Sequence, residues 1–423
     1  MKKFAKIAAI PIAVVAACPS ALALQISDDE SALRFRLKNE LRRADKPSAG
    51  AGAGRDIYAW VQGGLIDFNS SYYSQRIGVE GSAYYVYKLG ARDNMSTRWY
   101  LDGHESFGYV LGAIKIKPTE NSRLKIGRFG TDYSYGSLPW RIPLIASSSQ
   151  RTLPTASEGA LGYLALTPNV EFWAMWRTRV FQWTDSTTGI RNEGVYNSKT
   201  GQYDHHRPRA FFAASWHDES SRYSIGGSQQ NDVSRQVQGI FEKRIPLDDG
   251  YALKGELLGF YAQLEGLSRS STQPNETGLV SAQFTWSAPW GSLFASGGYL
   301  QHAMNGAVVD TDIGYPFSLS LDRNREGMQS WQAGVNYRVT PQLTMTFAPV
   351  VTRGYESSQR AVQIKGLGLL GAINYRIEEG PLEGMNIFLA ADKGREKRDG
   401  SALGDRLNYW DVKMSIQYDF MLR

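Results

Sequence analysis

Apolar and polar residues alternate along this chain with a period of two, most plainly near its end. Trp410, Val412, Met414, Ile416, Tyr418 and Phe420 are apolar, and the intervening Asp411, Lys413, Ser415, Gln417 and Asp419 are polar. Successive side chains of a strand point to opposite faces, so the stretch predicts a strand with one apolar and one wet face. The pattern recurs in Val280, Ala282, Phe284 and Trp286 against Ser281, Gln283, Thr285 and Ser287. It recurs again in Trp331, Ala333, Val335, Tyr337 and Val339 against Ser330, Gln332, Gly334, Asn336 and Arg338. Near the start, Leu33, Phe35, Leu37 and Leu41 oppose Arg34, Arg36, Lys38, Glu40 and Arg42. Around position 110 the same reading puts Val110, Ile114 and Ile116 on one face, with Lys115 and Lys117 on the other. In all, about 18 segments of roughly ten residues can be placed, separated alternately by short turns and longer loops. The predicted fold is all-β: a transmembrane antiparallel β-barrel with lipid outside and water inside.

Two stretches break the period. Residues 130–157 hold Pro139, Pro143, Pro154, Tyr133, Tyr135, Trp140 and a serine run. A loop of that length is uncommon without a task, and its aromatics argue against disorder. Residues 304–325 form a second irregular loop.

The first 23 residues read as a targeting segment. Lys2, Lys3 and Lys6 precede a short apolar core, and Ala21-Leu22-Ala23 is an A-x-A cleavage site, so the mature chain is expected to start at Leu24. Cys18, the one cysteine, lies in that leader. Domain organisation is then a signal peptide over 1–23 and one barrel over 24–423. The expected destination is the outer membrane of a Gram-negative envelope, reached through the periplasm. Hydrophobic residues make up 42% of the chain, too few for a helical membrane protein, and 43 glycines suit tight turns. The net charge of +6 falls to +3 when the three leader lysines are removed, which is no nucleic-acid footprint.

Candidate chemistry is sparse. Gly366-Leu367-Gly368-Leu369-Leu370-Gly371 matches a dinucleotide-binding pattern, but a strand follows it where a helix is required. His205-His206 sits in a polar loop with no third ligand in view, so no metal or other cofactor is expected. No serine stands in a nucleophile-elbow context. The stronger pattern is basic: Arg34, Arg36, Lys38, Arg177, Arg179 and Lys413 lie on polar faces that a barrel turns to its lumen. Such faces describe either a generally charged, water-filled interior or a track for anionic solutes.

Several short motifs, in order, carry a resemblance. They are Asp28-Asp29-Glu30-Ser31-Ala32-Leu33, Trp60-Val61-Gln62-Gly63 and Arg151-Thr152-Leu153-Pro154 followed by Glu158-Gly159. Ser330-Trp331-Gln332 and Gly380-Pro381-Leu382-Glu383-Gly384-Met385 complete the series. The chain resembles the OprD family of substrate-specific outer-membrane porins. The resemblance implies 18 strands, an inward-folded third loop that narrows the pore, and a ladder of arginines through it. By position, Arg151 matches the loop arginine, Lys38 (beside Asn39) the first-strand arginine, and Lys413 the last-strand arginine. The penultimate strand departs from the family pattern. Phe388 and Ala390 stand where better-known members carry arginines, with Lys393 as the only nearby cation.

The expected function is passive, selective diffusion of small water-soluble solutes bearing a carboxylate on an apolar or aromatic body. The path would run past Arg34, Arg36, Lys38, Arg151, Arg177, Arg179, Phe388, Lys393 and Lys413, with residues 130–157 as the constriction. A porin for neutral solutes such as oligosaccharides is the alternative. An outer-membrane barrel enzyme, or a structural barrel without an inward loop, ranks below it. Outer-membrane lipids and small solutes are the expected partners, in a monomer or a trimer.

Overall fold

The computed structural model describes residues 29–45, 56–91, 106–147, 152–181, 191–197, 202–204, 207–271, 273–304, 314, 316–401 and 405–422. The principal sheet holds 19 strands; one is the two-residue Arg191–Asn192, which pairs only with the end of β7. The others are β1 (Ala32–Asp45), β2 (Asp56–Asn69), β3 (Ile77–Ala91), β4 (Ser106–Ile116), β5 (Ser122–Gly130), β6 (Ala156–Thr167), β7 (Val170–Phe181), β8 (Arg209–His217) and β9 (Ser221–Gln230). They continue as β10 (Ser234–Pro246), β11 (Ala252–Leu264), β12 (Glu276–Ala288), β13 (Gly291–Leu300), β14 (Glu326–Arg338), β15 (Leu343–Tyr355), β16 (Gln363–Arg376), β17 (Asn386–Arg398) and β18 (Arg406–Leu422). Every consecutive pair is antiparallel, and β18 returns to β1 from Leu33↔Leu422 to Asp45↔Trp410. The sheet is therefore a closed 18-strand barrel with no free edge.

Closure leaves no edge strand, so apart from the bulges the backbone groups of the wall pair between strands, which a lipid environment demands. The outward side chains form an apolar belt that includes Ile66, Leu257, Val280, Leu293, Phe347, Leu367 and Leu369, with Phe284 71% exposed. Aromatic rings rim it: Tyr251, Trp286, Trp290 and Tyr337 adjoin in succession at one end, with centroids 5.6–6.4 Å apart and only the first pair stacked. No helix among the described residues is long and apolar enough to cross a membrane; this chain crosses with strands. Connections of two to nine residues close one end, and those at the other run from three to 27. The short end is the periplasmic one in barrels of this kind.

One facing differs from the periodic reading. Val110 is fully buried toward the lumen while Ile114 is exposed. The β3–β4 register slips between Ser82 and Ala83, so Val110 is the extra residue of a bulge. A bulge reverses the alternation locally, so Val110 leaves the face of Ile114 and joins the interior. The Gly366–Gly371 motif lies wholly within β16.

Candidate permeation pathway

β1 places Arg34, Arg36, Lys38, Glu40 and Arg42 in one column on the lumen face, because alternate residues share a face. The neighbouring strands supply carboxylates to it. Arg34 Nη2 meets Asp67 Oδ2 of β2 at 2.6 Å. Arg36 Nε and Nη2 reach both oxygens of Asp419 on β18, at 2.6 and 2.7 Å. Arg42 Nη2 meets Asp411 Oδ2 of β18 at 2.5 Å. Glu40 lies 3.4 Å from Lys38 Nζ and 3.8 Å from Lys413 Nζ, and accepts a hydrogen bond from Thr152 Oγ1 at 3.1 Å. Charges this buried need partners, since taking an isolated ion out of water costs several kcal/mol. The column holds five cations, Arg34, Arg36, Lys38, Arg42 and Lys413, against four carboxylates, Asp67, Asp419, Glu40 and Asp411.

Two loops lie against lumen-facing side chains. In the segment between β5 and β6, a turn at Tyr133–Tyr135 is capped by Asp132, whose side chain accepts from Ser134 N. Tyr135 lies on the column: Arg36 sits over its ring at 4.4 Å, Arg34 Nη1 donates to its carbonyl at 3.1 Å, and Lys38 Nζ stands 3.4 Å from its hydroxyl. The same segment turns Leu138, Ile142, Leu144 and Ile145 into an apolar cluster with Phe211, Ile240, Leu258 and Phe260 of β8, β10 and β11. Leu144 N donates to Gln238 Oε1 of β10 at 2.9 Å, and Arg222 of β9 stands over Trp140 at 4.0 Å. Strands β1 and β10 are nine positions apart in a ring of 18, so this segment touches opposite walls.

The segment before β14 covers another sector. Asp392 of β17 accepts from Ser318 Oγ, Leu319 N, Ser320 N and Ser320 Oγ at 2.6–3.1 Å. Leu321 occupies the space left by lumen-facing glycines; a Cβ on Gly394 would come within 2.9 Å of it, and one on Gly368 within 3.1 Å. Phe317 and Leu319 pack against the cluster holding Phe388 and Ala390.

No family model matches the sequence. The chain is 76% identical, over the full length of both, to the membrane-associated protein UidC of Escherichia coli (strain K12). It belongs to the UidC family. Solved structures show the same fold at low identity. OccAB3 of Acinetobacter baumannii matches with a TM-score of 0.76 at 15% identity, covering 93% of this chain and 99% of that one. OpdK of Pseudomonas aeruginosa with vanillate matches at 0.70 and 16%, covering 93% and 99%. OccK2 of the same species, in complex with glucuronate, matches at 0.69 and 16%, covering 93% and 98%. The barrel of this UidC relative thus has the fold of the OprD/Occ porins, and with its apolar belt it points to the outer membrane.

Of the residues named from sequence, Arg34, Arg36, Lys38 and Lys413 come together in the column. Arg177 and Arg179 lie apart from it, toward the long-loop end of β7. Arg177 donates to both oxygens of Glu193 at 2.9 Å, while the half-exposed Arg179 pairs with Glu158 at 3.2 Å. Arg151 and His205-His206 lie outside the described residues. Lys393 is corrected: it faces outward, exposed, because it alternates with the inward Asp392 and Gly394. Phe388 does point inward but is 1% exposed beneath the second loop, so it presents no open apolar surface to a solute. Sequence reasoning did not single out Asp67, Asp392, Asp411, Asp419 or Tyr135. The acidic strand residues were visible on the polar faces, but pairing them required the cross-strand register.

Proposed function

We propose that this barrel is a passive, substrate-selective porin for small water-soluble solutes carrying a carboxylate on an apolar or aromatic body. The observation that carries the reading is the lumen column of Arg34, Arg36, Lys38 and Lys413 with Tyr135 laid over it. The column is itself buried beneath Tyr135, so a carboxylate passing it is drawn by the column's field in a confined space, where charges act more strongly than in bulk water. Trp140, partly buried in the same segment beside Arg222 of β9, offers aromatic surface to the rest of the solute. Because four carboxylates offset most of the charge of five cations, with buried Asp132 also acting on Lys38, the preference is modest rather than strict. The segment between β5 and β6 is the constriction, and its sequence includes Arg151. Vanillate and glucuronate, found with OpdK and OccK2, are both small carboxylates, which supports extending the class to this chain. The driving force is the concentration gradient, so no cofactor is required.

The near-balance of charge also favours a second reading, a path for neutral oligosaccharides. Swelling of liposomes containing the full-length barrel separates the two. Matched pairs of lipid-impermeant solutes, such as glucuronate with glucose and galacturonate with galactose, should enter with the carboxylate member faster. Equal entry within both pairs, or faster entry of the neutral members, would favour the neutral-solute reading.

A further inference from the structure

Outside the lumen, one sector of the barrel wall is strongly cationic. At the long-loop ends of β15 to β18, Arg353, Lys365, Lys397 and Arg406 stand opposite one another in register across four adjacent strands. All four are exposed and share the outward face with the apolar belt residues Val351, Leu367 and Leu369. Lys393 and Arg395 extend the patch down β17 toward Trp410, whose register partner is Lys393. The acid paired within the patch is Asp399, 2.8 Å from Lys397 Nζ. The hydrogen bond from Lys397, with the charges of Lys365 and Arg406, holds the Asp399 carboxyl below the usual carboxylate range.

Like charges directly opposite on neighbouring strands repel and destabilise a sheet. Four in one row are therefore a cost, which among the described residues Asp399 offsets by an ion pair only at Lys397. The sector formed by β11 to β14 does not share the pattern. At the corresponding ends of β11 to β14 the outward residues include Tyr261, Gln263, Glu276, Tyr299 and Gln329. An anion held against the row would convert the repulsion into attraction, and Arg and Lys together suit phosphate oxygens. The row is continuous with the lipid-facing belt and lies at the long-loop ends of its strands, the end of a barrel wall that meets lipid headgroups.

We propose that this sector is a binding surface for the phosphorylated glycolipid of the outer leaflet. The sugar phosphates would lie across Arg353, Lys365, Lys397 and Arg406, with acyl chains running down the belt past Leu367 and Leu369. The glycolipid would then act as an annular partner fixed to one side of the barrel.

The test uses the full barrel in phosphatidylcholine nanodiscs carrying bis-phosphorylated lipid A, or lipid A stripped of its phosphates, with bound lipid counted by native mass spectrometry. The phosphorylated form should be retained and the stripped form lost. Near a membrane surface each cation contributes about fivefold in binding, so Lys365→Gln/Lys397→Gln/Arg406→Gln should weaken retention roughly a hundredfold. Arg235→Gln, an outward cation elsewhere on the wall, should change nothing. Arg353→Gln/Lys393→Gln/Arg395→Gln gives a second, independent neutralisation with the same expected loss. Equal retention of the stripped lipid, or full retention by both triple variants, would overturn the proposal. Displacement by millimolar inorganic phosphate would show a site for free phosphate instead and overturn the lipid assignment.

Discussion

Arg36, near the start of the barrel, grips Asp419, near its end, through two parallel hydrogen bonds of 2.6 and 2.7 Å. The two residues are also direct register partners across the β1–β18 seam, so side chains and backbone close the ring at the same level. The pair is buried, with Arg36 1% exposed. Removing one partner of a buried bidentate pair leaves an uncompensated charge and costs about 3–5 kcal/mol. Asp419→Ala should accordingly lower stability by that amount, read as the urea midpoint of the folded-to-unfolded mobility shift on cold gels. An unchanged midpoint would mean that the seam is held by its backbone ladder alone.

The second loop hangs on one carboxylate. Asp392 takes four hydrogen bonds from Ser318, Leu319 and Ser320, and nothing else described in the loop gathers as many onto one group. Asp392→Ala leaves those donors without their acceptor, at about 1–3 kcal/mol each for any that stay buried. The loop should loosen, and single channels should show higher mean conductance with more closures. Identical traces for the variant and the parent would show that the loop does not border the conducting path.

Facing can be checked with adjacent residues. Phe284 projects from the belt and Gln283 into the lumen. An arginine at mid-belt costs about 2–4 kcal/mol, whereas one facing water does not. Phe284→Arg should reduce the folded yield in lipid vesicles, and Gln283→Arg should fold like the parent. Equal yields would contradict the register of β12.

The strands were legible because lipid outside and water inside impose a strict period of two over most of each segment. Trp410 to Phe420 shows it without a break, and the structure keeps those apolar residues outward. The bulge at Val110 was not legible, since an extra residue in one strand is defined only by its partner. Lys393 was misjudged although its parity was readable: it alternates with Phe388 and Ala390, and β17 runs on to Arg398. The ion pairs of the column depend on which strands adjoin, and Arg36 and Asp419 lie 383 positions apart in sequence. The covering of Phe388 by Phe317 and Leu319 depends on a loop with no periodic signal at all.

Lys38 and Lys413 flank Glu40 at 3.4 and 3.8 Å, so this trio carries a net positive charge at the mid-height of the column. The central claim, a lumen that modestly favours anions through its cation column, is tested most directly by reversal potential. Full-length barrels would be inserted in planar bilayers across a tenfold potassium chloride gradient, at low ionic strength so that screening stays weak. The parent should reverse on the chloride side of zero, and Lys38→Gln/Lys413→Gln should move toward or past zero. Cation selectivity in the parent, or a potential unmoved by the double variant, would contradict the account.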